Sequence, residues 1–471
     1  MSSKALFVFP SASGHINPSF PLCQRLADLG WEVAYLGIPE FRESIAAAGG
    51  KLFDVNELGK EFGIEDVRAM IVGTVADYGP SAKPWALNFG SLALEKLLPM
   101  YIAFLRRFAP QLVVYCPVLS HVAHFAAGHL GIPDVSLLTA AGPGYWDAAF
   151  AVHGGSAGGL VDAIKANSAN AAAIEGVRTL LQRPELSLNT SEPLVNEYYT
   201  AVNLVTTVPF LADKLNEKDE AFYESAGKKF EFVGPLLGSR PLAPESEDFL
   251  RQVEVSRGRG QEVVYVSMGT AITGSHPDFG WYGTAGSAVT GKELCQAVFR
   301  AVFAELATTA LMNPAPVIVI STGGQPDALE DIIVPANAIC APSLPQVELL
   351  RRAKPALFVT HGGQNSFMES LTVGTPMLFC PGFGDQLATA AKAERLGLGL
   401  KVDRPPKQEQ ASSEAIASYE AAVARGLRRM LGAERAKFTS AAQMVVKELS
   451  EAGGVERALQ ICLQTAAAGK A

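Results

Sequence analysis

The chain has 471 residues, too many for one ordinary core, so two large domains are expected. Hydrophobic residues at 48% against 18% charged suit well-packed globular domains and argue against extensive disorder. A formal net charge of −8 provides no overall footprint for nucleic acid or an anionic membrane, although a local basic pocket for a phosphate stays open.

Lys4 precedes only a short apolar run, residues 5–9, which Pro10 interrupts. A secretory signal needs a longer apolar core and a small-residue cleavage site, so this run reads as a first buried strand. A turn and a helix near 19–29 follow, then a strand at 32–36 and a helix near 42–48. Residues 112–115 and 135–138 are further short apolar strands. This rhythm implies a parallel sheet with helices on both faces. The most apolar long region, 112–132, carries His121, His124 and His129 and is broken by Pro117 and Gly128. No run reaches the 18 apolar residues of a spanning helix, so a cytoplasmic protein with no transmembrane anchor is expected. Cys23, Cys116, Cys295, Cys340, Cys380 and Cys462 are scattered without a CxxC pair, which points to reduced core thiols and away from a disulfide framework or zinc site.

The rhythm weakens over 142–191, a stretch rich in Gly, Ala, Ser and Asn that includes Gly154-Gly155-Ser156-Ala157-Gly158-Gly159. It reads either as loops and short helices or as a mobile surface insertion. Residues 204–207 and 230–233 look like the last strands of the first half. The polar stretch 238–262 suits an interdomain linker. A second strand series runs through 263–267, 317–320, 338–340, 356–359 and 377–380. The tail, from about 412 to 467, is mostly helical by composition.

Chemistry shows in two places. Residues 356–359 form a buried strand that runs into His361-Gly362-Gly363-Gln364-Asn365-Ser366 and then a helix at 367–373. Such a turn leaves backbone N–H groups free at a helix N-terminus, where donors and dipole suit a phosphate. Gly362 and Gly363 permit close backbone approach. Asn365 and Ser366 can donate, and Glu369 in the helix can accept from ribose hydroxyls. A simple structural bend is the alternative. The other place is the first strand-to-helix turn, Pro10-Ser11-Ala12-Ser13-Gly14-His15-Ile16-Asn17-Pro18. A His at the carboxyl end of a first strand lies where open α/β sheets bind ligands, and its ordinary pKa suits general-base work. A capping or merely exposed His is the competing reading.

Taken together, these segments resemble the UDP-glycosyltransferase family, the inverting enzymes of glycosyltransferase family 1. The resemblance rests on Gly14-His15-Ile16-Asn17-Pro18, Phe232-Val233-Gly234-Pro235-Leu236 and Val264-Tyr265-Val266-Ser267-Met268-Gly269-Thr270. It continues through Pro345-Gln346, His361 to Ser366, Glu369, Gly374-Thr375-Pro376 and Asp385-Gln386. It implies an α/β GT-B fold, two Rossmann-like domains facing a deep interdomain cleft. Residues 1–237 would bind the acceptor, 238–262 would link, 263–430 would bind the nucleotide sugar, and helices in 431–471 would pack back on the first domain.

The resemblance also implies roles. His15 would deprotonate the acceptor hydroxyl. Thr270, His361, Gly363, Asn365 and Ser366 would hold the diphosphate, and Glu369 the ribose. Asp385 and Gln386 would contact sugar hydroxyls, and Gln346 would lie along the nucleoside. The implied reaction moves a sugar, glucose for preference, from a UDP-sugar onto a hydroxyl of a lipophilic phenol, polyketide, sterol or terpenoid, with inversion and with no metal or cofactor. The alternatives are a silent nucleotide-sugar-binding protein and a sugar-nucleotide epimerase of the same fold.

Two positions depart from the family. Cys116 stands where an Asp orients the catalytic His, and a neutral thiol cannot stabilise an imidazolium as a carboxylate does. Either another acid such as Asp147 replaces it, or the acceptor is acidic, or the transferase is weak or silent. Ser343 stands where a Trp stacks on the base, a contact worth roughly 1–3 kcal/mol. An apparent insertion, Gly274-Ser275-His276-Pro277-Asp278-Phe279-Gly280-Trp281-Tyr282-Gly283, is expected either as a flap over the donor that supplies the stack through Trp281 or Tyr282, or as a surface hairpin.

Overall fold

The computed structural model describes residues 2–78, 86–153, 156–238, 242–276, 280–283, 289–405 and 413–469. The chain divides into two compact units, residues 1–240 with 452–471, and residues 241–451.

The first unit is built on seven parallel strands: β1 (Lys4–Val8), β2 (Glu32–Gly37), β3 (Lys51–Asp54), β4 (Leu112–Tyr115), β5 (Asp134–Leu138), β6 (Val202–Val205) and β7 (Lys229–Phe232). Their order is β3-β2-β1-β4-β5-β6-β7. Every residue of β4 is buried, as a central strand covered on both faces requires. Val8 lies opposite Tyr115, and the Cys116 N–H donates to the Val8 carbonyl at 3.1 Å, which carries the pairing one residue past β4. The helix Gly454–Ala468 closes this unit against the helix Phe20–Asp28 and against β4 and β5.

Six parallel strands form the second unit: β8 (Val263–Ser267), β9 (Val317–Ser321), β10 (Ala338–Ala341), β11 (Leu357–Thr360), β12 (Met377–Phe379) and β13 (Gly399–Lys401), in the order β10-β9-β8-β11-β12-β13. The helix Gly291–Leu306 begins with a reciprocal cap. Thr290 Oγ1 accepts from the Glu293 N–H, and the Glu293 carboxylate accepts from the Thr290 N–H at 2.7 Å. Its apolar face packs on the helix Ser413–Leu431, pinned at the rim by Arg300 donating to Glu420 at 2.7 Å.

Several elements differ from their sequence expectation. Most of the stretch expected as a linker is the helix Pro244–Gly258, with Pro244 at its first position; residues 239–241 lie outside the described residues. Its charges are a solvated face, while Leu250 and Val253 are buried and Arg352 bonds both Glu247 and Glu254. The tail divides: the helix Arg435–Glu451 belongs to the second unit and Gly454–Ala468 to the first. β3 and β13 are additional edge strands, too short and mixed in composition to stand out. Residues 157–181 hold two substantial helices, Ala157–Ala166 and Ser168–Leu181, while Gly154 and Gly155 lie outside the described residues. Among the described residues, no helix is long and apolar enough to cross a membrane.

Replacing Thr290 by Ala removes one half of the reciprocal cap, and a loss of about 1 kcal/mol is expected for the second unit's unfolding transition. Urea titration followed by circular dichroism measures it, and an unchanged midpoint would contradict the capping role.

Candidate active site

In the first unit, strand order reverses between β1 and β4, because the chain adds β2 and β3 on one side of β1 and β4 to β7 on the other. Loops diverge at such a point and leave a crevice at the carboxyl ends of the strands, the usual place for a ligand. His15 lies there, in the short helix Ser13–Ile16 that follows β1. Its Nδ1 is 3.3 Å from Cys116 Sγ, at the end of β4, and 3.3 Å from Thr139 Oγ1, at the end of β5. Three neighbouring strand ends thus converge on one imidazole.

Both ionisable groups are held neutral. Burial lowers the His15 pKa to about 4, so the ring is an unprotonated imidazole at neutral pH. Burial also pushes the Cys116 thiol up to about 12, against a smaller opposing effect of the Leu119 and Val118 backbone. Among the described residues, no carboxylate is bonded to His15. Asp147, named from sequence as a substitute acid, accepts instead from Asn216 at 3.1 Å and lines a separate cavity of about 190 Å³ with Trp146, Phe150 and Tyr223. Thr139, immediately after β5, is the partner that sequence reading missed.

The second unit repeats the arrangement. Order reverses between β8 and β11, whose register sets Thr360 opposite Ser267. Thr270 follows β8 in the short helix Gly269–Ile272, and His361 follows β11. The His361 ring lies against two glycines. A Cβ added at Gly269 would sit 2.2 Å from the ring, and one at Gly363 would sit 2.5 Å from its Nε2. Gly269 also has φ +73°, a left-handed backbone that a side chain disfavours. Burial lowers the His361 pKa to about 4, against a smaller opposing hydrogen bond with the Ser267 backbone. Gly363 caps the helix Gln364–Thr372, which carries Asn365, Ser366 and Glu369.

One hydrogen-bonded network joins three of the expected donor residues. Tyr265, on β8, donates to Gln346 Oε1 at 3.1 Å. Gln346 Nε2 donates to Ser366 Oγ at 3.0 Å and to Glu369 Oε2 at 2.7 Å. Burial raises the Glu369 pKa, and the Gln346 bond opposes that rise. Asp385 stands at the N-cap position of the helix Gln386–Arg395, and its side chain makes no capping bond. Gln386 uses its side-chain oxygen inside its own loop, accepting from Gly382 N at 3.0 Å and from Phe383 N at 3.4 Å. Ser343 is exposed just past β10.

Expectation and structure part at the insertion. Trp281 is fully buried in the second core and its indole N–H donates to Asp327 at 2.9 Å, so it is a wall of the unit and no flap residue. Tyr282 is 67% exposed, with its hydroxyl 3.5 Å from the same carboxylate. Pro277, Asp278 and Phe279 lie outside the described residues.

A model of the family described as UDP-glucoronosyl and UDP-glucosyl transferase matches residues 300–418, the stretch that contains the β11 turn and its network. The NDP-glycosyltransferase YjiC of Bacillus subtilis (strain 168) is 26% identical over 95% of this chain and 93% of its own length. The chain is thus similar to UDP-glycosyltransferases, over the matched stretch and along most of its length. Among solved structures, the glycosyltransferase of kitacinnamycin superposes with TM-score 0.63 at 20% identity, covering 98% of this chain and 99% of the other. The spinosyn rhamnosyltransferase SpnG complexed with thymidine diphosphate gives 0.61 at 18% identity, covering 97% and 100%. The chain has the GT-B fold, with the two sheets as its Rossmann-like domains. It is a glycosyltransferase that takes its sugar from a nucleotide sugar.

Gly269→Ala should displace the His361 ring and strain the backbone. Binding of a nucleoside diphosphate, measured by calorimetry, is expected to weaken about tenfold or more. Wild-type affinity in this variant would remove the His361 turn from the donor site.

Proposed function

We propose that the enzyme moves a hexose, glucose for preference, from a UDP-sugar to an acidic hydroxyl, a phenol or enol, on a lipophilic small molecule, with inversion at the anomeric carbon. The observation that carries the acceptor part is the His15 imidazole, neutral and, among the described residues, bonded at Nδ1 by a thiol and a hydroxyl. The acceptor O–H gives its proton to His15 Nε2. As that proton moves, the acceptor oxygen bonds to the anomeric carbon, and the bond to the diphosphate oxygen breaks with its electron pair leaving on the diphosphate.

A base with a pKa near 4 takes a proton more readily from a phenol than from an aliphatic alcohol, since proton-transfer efficiency follows the pKa difference. On the donor side, the N–H groups at the start of the helix Gln364–Thr372, with His361, Asn365, Ser366 and Thr270, receive the developing charge, and the reading needs no metal. Asp385 and Gln386 face the sugar hydroxyls in this reading, Gln386 through the amide nitrogen that its loop leaves over. Glu369 accepts from the ribose hydroxyls and thereby favours UDP over a deoxyribose donor. Action in the cytoplasm belongs to the same reading.

Mass spectrometry of matched phenol and aliphatic-alcohol acceptors incubated with UDP-glucose checks this assignment. A hexose adduct on the phenol, lost by about 100-fold or more in His15→Ala, is expected. An adduct that survives the substitution would defeat the base assignment.

The pH dependence has a definite sign. His15 must be unprotonated to act, and its lowered pKa keeps it so down to about 4. The kcat/KM for a phenol should therefore stay flat from about pH 5 to 8. A limb near the ordinary histidine pKa of about 6.5 would contradict a buried neutral base.

Cys116→Asp should add the missing carboxylate. One oxygen would face His15 Nδ1, and the Leu119 and Val118 backbone, which already favours the charged form of the thiol, would favour the carboxylate. Turnover of the aliphatic alcohol should rise about tenfold or more, with a smaller gain for the phenol. An equal gain or loss for both acceptors would break the link between base strength and acceptor choice.

A further inference from the structure

We propose that Thr139 is a positioning residue for His15, holding its imidazole in the tautomer that carries hydrogen on Nδ1 and the lone pair on Nε2. The proposal rests on His15 being the acceptor base and adds a residue that the family resemblance did not supply.

The argument starts from the three strand ends. β4 lies between β1 and β5, so the residues that follow these strands enter one crevice side by side. Cys116 and Thr139 close it from the β4 and β5 sides, both buried: Cys116 0% and Thr139 3% exposed. Neither carries charge, so neither can replace a carboxylate by attraction. What remains is the other part of an orienting partner's work, which is to choose the tautomer and fix the ring.

The geometry selects among the arrangements. Nδ1 has two neighbours at the same distance, 3.3 Å to Cys116 Sγ and 3.3 Å to Thr139 Oγ1. One N–H can be shared between two acceptors, a common three-centre arrangement. One Nδ1 lone pair, by contrast, cannot serve both an S–H and an O–H donor. The threonine oxygen is the stronger acceptor of the two, because sulfur accepts only weakly. The Nδ1–H bond therefore belongs chiefly to Thr139, and Nε2 is left basic toward the acceptor. Without the threonine hydroxyl, the thiol can turn its S–H onto Nδ1, which moves the ring hydrogen to Nε2 and removes the base.

The test reads the tautomer directly. Nitrogen-15 NMR of protein labelled at its seven histidines, with the His15 signals assigned by their loss in His15→Ala, reports which ring nitrogen holds the proton without any substrate. Wild type should show His15 as the Nδ1–H form. Thr139→Val keeps the shape and removes the hydroxyl. It should shift His15 toward the Nε2–H form and lower kcat about tenfold, with donor KM within about twofold. Thr139→Ser should restore both the tautomer and kcat. Adding Cys116→Asp to Thr139→Val should also restore them, since a carboxylate accepts from Nδ1–H on its own. An unchanged tautomer and kcat in Thr139→Val would overturn the proposal, as would a kcat loss without a tautomer shift. Undiminished transfer by His15→Ala would instead defeat the functional reading beneath it, while the substrate-free tautomer measurement would still decide what Thr139 does.

Discussion

Both sites depend on one constraint, the hydrogen-bonded pairing of β1 with β4 and of β8 with β11 at the places where strand order reverses. Parallel pairing fixes which strand ends lie side by side, and reversal sends the following segments apart. The Val8–Tyr115 register continues to Cys116 and so sets the sulfur beside the segment that carries His15. The Thr360–Ser267 register brings His361 beside Gly269 in the same way. These strands are central and their residues are buried, so moving either site means breaking a core. Fully burying a single Val or Leu contributes about 1.5–3 kcal/mol, and a register slip would disturb many such residues together.

A second regularity follows from the same burial. His15 follows β1 and His361 follows β11, each beside the point where its sheet reverses order, and burial brings both to a pKa of about 4. Each is a neutral imidazole at pH 7, with one nitrogen that donates and one that accepts. Under the proposed function, that state would make His15 a base that is always ready but weak, and His361 a hydrogen-bond donor without formal charge. Charge developing on a departing diphosphate would then be met by oriented dipoles, the helix N-terminus and the hydroxyl and amide groups that it carries. Fixed dipoles need no reorganisation at the moment of reaction, which is what electrostatic preorganisation requires.

The sequence made the strands of both cores legible because central parallel strands are short, continuous apolar runs. The His361 turn was legible because glycines beside a strand end have few other uses. What escaped had physical reasons. β3 and β13 are edge strands whose Lys-Leu-Phe-Asp and Gly-Leu-Lys segments lack a full apolar run. The helix Pro244–Gly258 looked like a linker because an exposed helix anchored by two buried residues and a guanidinium is mostly charged. Trp281 drew attention as an aromatic in a glycine-rich stretch, yet nothing local said that Asp327 waited for its indole N–H. Thr139 could not be singled out, because its contact with His15 spans 124 positions of sequence and exists only once the sheet has formed.

Under the proposed donor reading, a family feature is lost without losing the site. A serine at 343 would give up a base stack worth roughly 1–3 kcal/mol. The network from Tyr265 through Gln346 to Ser366 and Glu369 acts on a different cost, that of ordering the polar groups which meet the nucleotide. Gln346 holds the Glu369 carboxylate in place through one oxygen and leaves the other oxygen able to accept. A hydrogen bond to a charged group contributes about 1.5–3 kcal/mol, the same scale as the missing stack. Because that carboxylate is positioned before the nucleotide arrives, little of its contribution is spent on fixing its rotamer. Under the proposed donor reading, that balance would move recognition from the face of the base to the ribose and diphosphate, and the site would be stricter about the sugar of the nucleoside than about its base.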